Sequence, residues 1–309
     1  MKMLKDLKNW ILLILLSLIW GSSFILMNKG MYTSGKEKIF SFEQVGALRM
    51  LIASIALSPF ALKALKKIKD KRILGSVLIV GFSGNFIPAF LFPFAQTGLT
   101  SGFAGMLNSF TPIFTVIIGF IVFGNKLGKS QIIGMFIGTI GIILLMYSGS
   151  QVALTGNWTH ISAILLATLM YAISLNTIKH KLSDLKAIEV SSLAFFLLLI
   201  PSTIALFTTE THLTLQFNPY ALNGLVFIGI LSILGTAVAV ILFNELIKNS
   251  STVFASSVTY FIPVVAVSIG LFFKETLSLW QVGSMFIVLS GVFFINLWDS
   301  IRAKKTEIK

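Results

Sequence analysis

The chain has 309 residues, of which 56% are hydrophobic and only 11% charged, with a formal net charge of +13. Soluble domains carry about 25% charged residues, so a fold this apolar has too little polar surface to show to water, and its natural solvent is the bilayer. There is no cysteine, which removes disulfides, thiolate chemistry and cysteine-ligated metals.

Ten runs are long and apolar enough to cross a membrane, near 10–28, 42–62, 73–94, 101–123, 131–148, 160–178, 188–207, 220–243, 252–273 and 280–298. Each is about 20 residues, the length of a spanning helix; barrel strands would be about 10 residues of alternating pattern. If the ten alternate, nineteen of the lysines and arginines fall on one side and only four on the other. The positive-inside rule then puts both termini in the cytoplasm of a multi-pass inner (plasma) membrane protein. The basic balance therefore reads as topology, with some attraction to lipid head groups, and not as a nucleic-acid surface. Residues 1–23 have the layout of a signal peptide, lysines and an apolar run ending in Gly21-Ser22-Ser23. The alternation closes only if that run stays as the first span.

In chain order, span one ends in Trp20-Gly21-Ser22-Ser23-Phe24, and span two carries Arg49, the only full charge well inside any span. Span three holds Gly81, Gly84, Asn85, Pro88 and Pro93, a composition that predicts a bent or locally unwound helix. Span four carries Asn108 and Pro112; span five has Gly134, Gly138 and Gly141 at the spacing of a tight helix contact. An uncharged connector, 149–159, separates the halves. Span six then places Tyr171-Ala172-Ile173-Ser174 where span one has Trp20-Gly21-Ser22-Ser23, at an offset of 151. Span seven is the plainest, and span eight holds Gly224, Gly229, Gly235 and Thr236. Span nine echoes span four: Ser101, Ala104, Phe110, Pro112 and Gly119 land on Thr252, Ala255, Phe261, Pro263 and Gly270. Span ten repeats Gln131, Gly134 and Gly141 as Gln281, Ser284 and Gly291, at an offset of 150.

One unit therefore occurs twice, over 1–150 and 151–309. Five spans is an odd number, so the second copy enters the membrane from the opposite side. The expected fold is all-α: ten transmembrane helices as two inverted five-helix repeats around a central cavity. Inverted repeats are the architecture of secondary transporters, with the ligand site near the midplane and broken helices around it.

These residues resemble the EamA-type members of the drug/metabolite transporter superfamily over nearly the whole chain. The resemblance rests on Trp20-Gly21-Ser22-Ser23-Phe24, Leu48-Arg49-Met50, the small-residue-then-proline patterns ending at Pro112 and Pro263, and Lys274-Glu275-Thr276-Leu277 with Gln281 and the helix 283–291. Asn125-Lys126-Leu127 departs from it, standing where the family usually has a glutamate. The resemblance implies ten helices, a cavity lined by spans one, three, four and nine with their partners six and eight, and export of small metabolites such as amino acids by alternating access.

The candidate substrate-binding residues are Trp20, Ser23, Arg49, Asn85, Asn108, Tyr171, Asn176 and Tyr260. A cation inside a span costs about 2.5–3.5 kcal/mol on insertion scales. Arg49 is thus either an anchor for a carboxylate or phosphate, or a structural or gating group that snorkels or binds freed carbonyls. Because the resemblance places an arginine here in members with different substrates, the second role is favoured. The asparagines, Gln96 and Tyr260 either line a cavity or make interhelical hydrogen bonds worth about 0.6 kcal/mol each. Trp20 and Tyr171 hold corresponding places and form either facing aromatic walls or lipid contacts. Pro88, Pro112 and Pro263 are expected as hinges, since proline removes a helix hydrogen bond.

The eleven acids and three histidines fall in loops or at span ends, which argues against a midplane proton relay. A facilitator or exchanger is expected, with a small-solute channel or a proton-coupled efflux carrier as the alternatives. No zinc motif or nucleophile elbow is present, and the P-loop-like Gly124–Ser130 is one residue short. No enzymatic activity, cofactor or metal is expected. The partners are a small-molecule substrate and membrane lipid, with no nucleic acid. Ten helices can enclose a cavity in one chain, so a monomer is expected to suffice.

Overall fold

In the computed structural model, residues 2–68, 70–126, 128–148, 158–263, 265, 278–280, 282–291 and 293–294 are described. The connector 149–157, most of the second half of span nine, the Lys274–Leu277 motif, Gln281 and the basic tail lie outside the described residues.

The described residues are almost wholly helical. Seven helices are long and apolar enough to cross a bilayer. They are α1 (Lys2–Met31), α2 (Phe42–Ala64), α3 (Lys71–Gln96), α4 (Ser101–Ile121), α6 (Trp158–Lys181), α7 (Ala187–Thr208) and α8 (Ala221–Asn249). Between α4 and α6 lies α5 (Lys129–Ser148), and the shorter apolar helices α9 (Thr252–Pro263) and α10 (Val282–Gly291) follow α8. A short helix, Thr211–Phe217, links α7 to α8. The outer faces stay apolar: Ile11, Ile14 and Leu18 on α1, Ile133, Phe136 and Ile140 on α5, and Ile200, Ile204 and Phe207 on α7 are exposed. Helices apolar both inside and outside belong in lipid, and the chain is a multi-pass membrane protein.

The direction of the helices shows the inversion. At one end of the bundle Lys8, near the start of α1, pairs with Glu245, near the finish of α8. At that same end α6 finishes, because Lys179 in its last turn donates to Ser250 O just past α8. The corresponding helices α1 and α6 therefore run in opposite directions. Lys67, after α2, pairs there with Glu189 at the start of α7, so this end carries the lysine-rich connections. At the opposite end Gln44 in the first turn of α2 donates to Thr209 O, just past α7.

The two halves meet about an approximate two-fold axis, and the side-chain contacts are reciprocal. Trp20 packs edge-on against Phe243 at 4.8 Å, while Tyr171 stacks on Phe92 at 5.8 Å; each residue of the second pair is its counterpart in the first shifted by 151. A Cβ on Gly235 would press against Ser23 Oγ, and one on Gly84 would collide with Ser174 Oγ, which is the same exchange. At the shift of 150, a Cβ on Gly141 would lie 2.6 Å from Val288 N, and one on Gly291 would strike the Gly138 backbone. The last pair places α5 against α10 with glycine backbones in contact, a small-residue interface of the kind membrane helices use.

Two main apolar clusters lie along the bundle. One, toward the lysine-rich end, gathers Leu13, Leu16, Val77, Leu175, Ile178, Leu246 and Ile247. The other, toward the opposite end, gathers Phe24, Met27, Phe92, Phe103, Leu107, Ile164 and Ile262. The polar and small residues of α1, α3, α6 and α8 fall between them.

Candidate functional site

A cavity of about 90 Å³ opens between the two halves. Residues of α1, α2, α3, α4, α6, α8 and α9 line it, among them Trp20, Arg49, Asn85, Asn108, Tyr171 and Thr236. The helices bend around it for identifiable local reasons. α3 contains a π-helical turn over Phe82–Phe86, and α8 contains one over Ile233–Val238. The two turns start at positions 151 apart. In α3 the Ile87 N–H reaches Phe82 O, and in α8 the Ala239 N–H reaches Leu234 O, each five residues back. Pro88 has no N–H to continue the ladder to Gly84, but α8 makes the same turn without a proline. What both turns share is a side chain that bonds the carbonyl five residues behind it: Asn85 Nδ2 to Val80 O at 3.3 Å and Thr236 Oγ1 to Leu231 O at 3.1 Å. Turns of this type recur at functional sites. The Gly235 carbonyl, passed over by Ala239, accepts the Trp20 indole N–H at 3.0 Å.

α4 breaks differently. Asn108–Phe110 form a 3₁₀ turn, and Pro112 follows in the first turn of the resumed α-helix, where its missing N–H costs little. Pro88 occupies the same kind of place, directly after the π turn of α3. Pro263 is the last residue of α9 as described. Pro88 and Pro112 thus mark where helices resume, each just after an irregular turn.

Of the residues singled out by sequence, the structure brings Trp20, Ser23, Arg49, Asn85, Asn108 and Tyr171 to the cavity wall. Asn176 and Tyr260 lie elsewhere. Asn176 is fully buried and donates to Thr115 O at 3.0 Å and Ala172 O at 2.9 Å, tying α6 to α4. Tyr260 is buried against Ile113 and Val288, although its neighbours Thr259 and Ile262 do reach the cavity. Gln96 donates to Phe24 O at 3.0 Å and Ser101 Oγ at 2.9 Å, away from the lining. Ser174, Thr236, Phe243 and Thr259 line the cavity without having been singled out. All four were accessible through the repeat, since a shift of 151 carries Ser23, Asn85, Phe92 and Asn108 onto them.

Arg49 is the one charged residue on the described lining. Its Nε donates to Thr236 Oγ1 at 2.7 Å. The ion pairs among the described residues, Lys8–Glu245 and Lys67–Glu189, are both at the lysine-rich end and leave it without a carboxylate. The arginine has no counterpart in the other half. Ser41 and Lys186 open α2 and α7 in the same manner, each N–H bonded to the side chain three residues on. Eight positions after them stand Arg49 and the buried Ala194.

At the lysine-rich end, next to the cavity, α6 and α8 make a reciprocal contact. Lys179, in the last turn of α6, donates to Ile247 O at 3.0 Å and Ser250 O at 2.6 Å at the end of α8. Lys248, in the last turn of α8, donates to Leu182 O at 2.7 Å just past α6. Each cation satisfies carbonyls left over at the other helix's C-terminus, where the helix dipole favours positive charge. Ile178 and Ile247, adjacent in sequence to this contact, belong to the cavity lining.

Comparison with known proteins agrees with this arrangement. The model of the EamA-like transporter family matches twice, over residues 8–147 and 158–297. The chain is 27% identical over 287 residues to a protein of Escherichia coli strain K12 named uncharacterized inner membrane transporter YedA, covering 91% of this chain and 88% of that one. It is 23% identical over 308 residues to a probable amino-acid metabolite efflux pump of Salmonella typhimurium, covering 97% of each. A solved crystal structure at 12% identity matches with a TM-score of 0.64 over 94% of this chain and 96% of the other, a likeness of fold.

Proposed function

Because the chain belongs to the EamA-like transporter family, we propose that it is a secondary transporter of the inner (plasma) membrane that exports small metabolites, amino acids or related compounds, by alternating access. The observation that carries this reading is the cavity at the junction of two inverted halves, walled by reciprocal pairs of aromatic and small residues and by two π turns in corresponding helices. Two halves related in this way can close at either end by the same packing, which is what alternating access requires. A static pore needs no such duplication of helix breaks. The name of the Salmonella relative supports amino-acid metabolites as the class to test first.

In this reading the lysine-rich end faces the cytoplasm, both termini with it, by the positive-inside rule. The Lys179 and Lys248 contacts then form the cytoplasmic closure. The candidate substrate-binding set is Trp20, Ser23, Arg49, Asn85, Asn108 and Tyr171, with Pro88, Pro112 and Pro263 beside the points of bending. The described lining has no carboxylate and no histidine, so the mechanism is that of a facilitator or exchanger, working in a single chain. The test is flux of labelled amino acids in liposomes holding the purified protein. Saturable, stereoselective flux supports the carrier. Rapid flux that does not saturate would show a pore, and flux that collapses with an uncoupler at a fixed substrate gradient would show proton coupling.

A further inference from the structure

We infer that Arg49 is the anchor for a substrate carboxylate, and that the transported class is defined by carrying one carboxylate beside an otherwise uncharged, largely apolar body. This deepens the carrier reading and rests on it.

The guanidinium is held by one edge. Its Nε is fixed by the Thr236 hydroxyl, and that hydroxyl is itself directed to Leu231 O in the π turn of α8. Among the described residues no protein group bonds the two terminal nitrogens, and they are not sealed from the cavity. A guanidinium presents its donors as a planar fork that matches a carboxylate with two parallel bonds. Here one arm of that geometry is used for positioning and the fork is left to the cavity. A cation inside a membrane protein without a partner is costly, and a protein carboxylate, the usual remedy, is missing from the described wall. A substrate carboxylate supplies it.

The symmetry of the site makes the same point. Corresponding positions of the two halves repeat as aromatic with aromatic, serine with serine, and asparagine with threonine. The cation is not repeated, since Ala194 stands where a second arginine would. A fold requirement for positive charge would be expected in both halves; a requirement of an asymmetric ligand is met by one. A single positive charge also selects the ligand's charge. A phosphate dianion would call for a second cation beside the arginine, and the described lining has none. The same lining carries the neutral oxygens and amides of Asn85, Asn108, Tyr171, Ser174 and Asn244, together with Trp20, Phe92 and Phe243. An ammonium group is thus accommodated by hydrogen bonds and not by charge, while the rest of the ligand meets apolar wall.

The experiment compares matched solutes in liposomes holding wild-type protein, Arg49→Lys or Arg49→Gln: each L-amino acid with an uncharged side chain, its amide, and the amine that lacks the carboxyl group. Wild type is expected to carry acids and discriminate against amides and amines by about 30-fold or more, the loss that follows when a buried charge is left without its partner. Arg49→Gln is expected to abolish the discrimination, and Arg49→Lys to keep part of it, since charge survives without the fork. A purely structural arginine would lower all fluxes together and leave the ratio unchanged. Heat stability of the solubilised proteins, measured with and without each solute, reads binding directly and shows whether a silent variant is folded. Amines or amides carried as well as acids, or an unchanged ratio in Arg49→Gln, overturn the inference and leave the carrier reading standing. Absence of flux and of stabilisation for every solute overturns both.

Discussion

Removing the charge of Lys179 while keeping its aliphatic stem, as in Lys179→Met, should release the lysine-rich end of the cavity. The ammonium makes two short bonds, at 2.6 and 3.0 Å, and a longer one at 3.4 Å to Lys248 O. Hydrogen bonds to charged groups contribute about 1.5–3 kcal/mol each, and a cation at a helix C-terminus about 0.3–1 kcal/mol. The group is only part-buried, so water recovers much of this on opening. A net loss of about 2 kcal/mol is a reasonable working value, and it shifts the closed-to-open ratio about 30-fold. The absence of cysteine makes the assay direct. A single cysteine replacing Ile178 or Ile247, both buried beneath the contact, is labelled with a membrane-impermeant maleimide applied from the lysine-rich side. Labelling should be slow in the otherwise wild-type chain and about 30-fold faster with Lys179→Met. An unchanged rate would show that the closure is held by packing alone and would refute the reasoning.

Glycines at the junctions should separate into two classes. Gly291→Ala and Gly141→Ala place a Cβ against a neighbouring helix backbone and should cost about 1–3 kcal/mol, whereas Gly229→Ala, which meets nothing within 4 Å, should be neutral or slightly stabilising; melting of the solubilised protein reads both. Trp20→Phe keeps the ring against Phe243 but leaves the Gly235 carbonyl without its indole donor, and should lower stability by about 1 kcal/mol. Asn176→Leu breaks the bond to Thr115 O and should destabilise by about 1–3 kcal/mol with no change in which solutes are carried, whereas Asn108→Ala on the lining should change transport at nearly wild-type stability. With no titratable carboxylate or histidine on the described lining, flux at a fixed substrate gradient should vary little between pH 5.5 and 8 (roughly the span over which such groups would titrate), as measured in liposomes with equal pH on both sides.

The helices were legible in the sequence because run length and apolarity are set by the bilayer, and the repeat was legible because glycine, proline and polar residues stand out against an apolar background. The same contrast revealed Arg49, Asn85 and Asn108. Three things were less legible. Asn176 reads like a cavity residue, but polarity alone does not say which way a helix is turned when every face is apolar, and here it points at the Thr115 carbonyl. The breaks were expected at the prolines, and the π turn of α8 contains none. Its cause is a threonine reaching back five residues, a pattern that sequence shows only when Thr236 is set beside Asn85. The contact of Lys179 and Lys248 with opposing helix ends was hidden in what reads as ordinary positive-inside charge.

The most direct test of two halves alternating about one cavity is counterflow. Liposomes are preloaded with an unlabelled carried solute and exposed to a trace of the labelled one. A carrier whose site faces one side at a time predicts a transient accumulation of label above its equilibrium level, abolished when the internal solute is omitted. Simple equilibration of label, at the same rate with or without internal solute, would contradict the account.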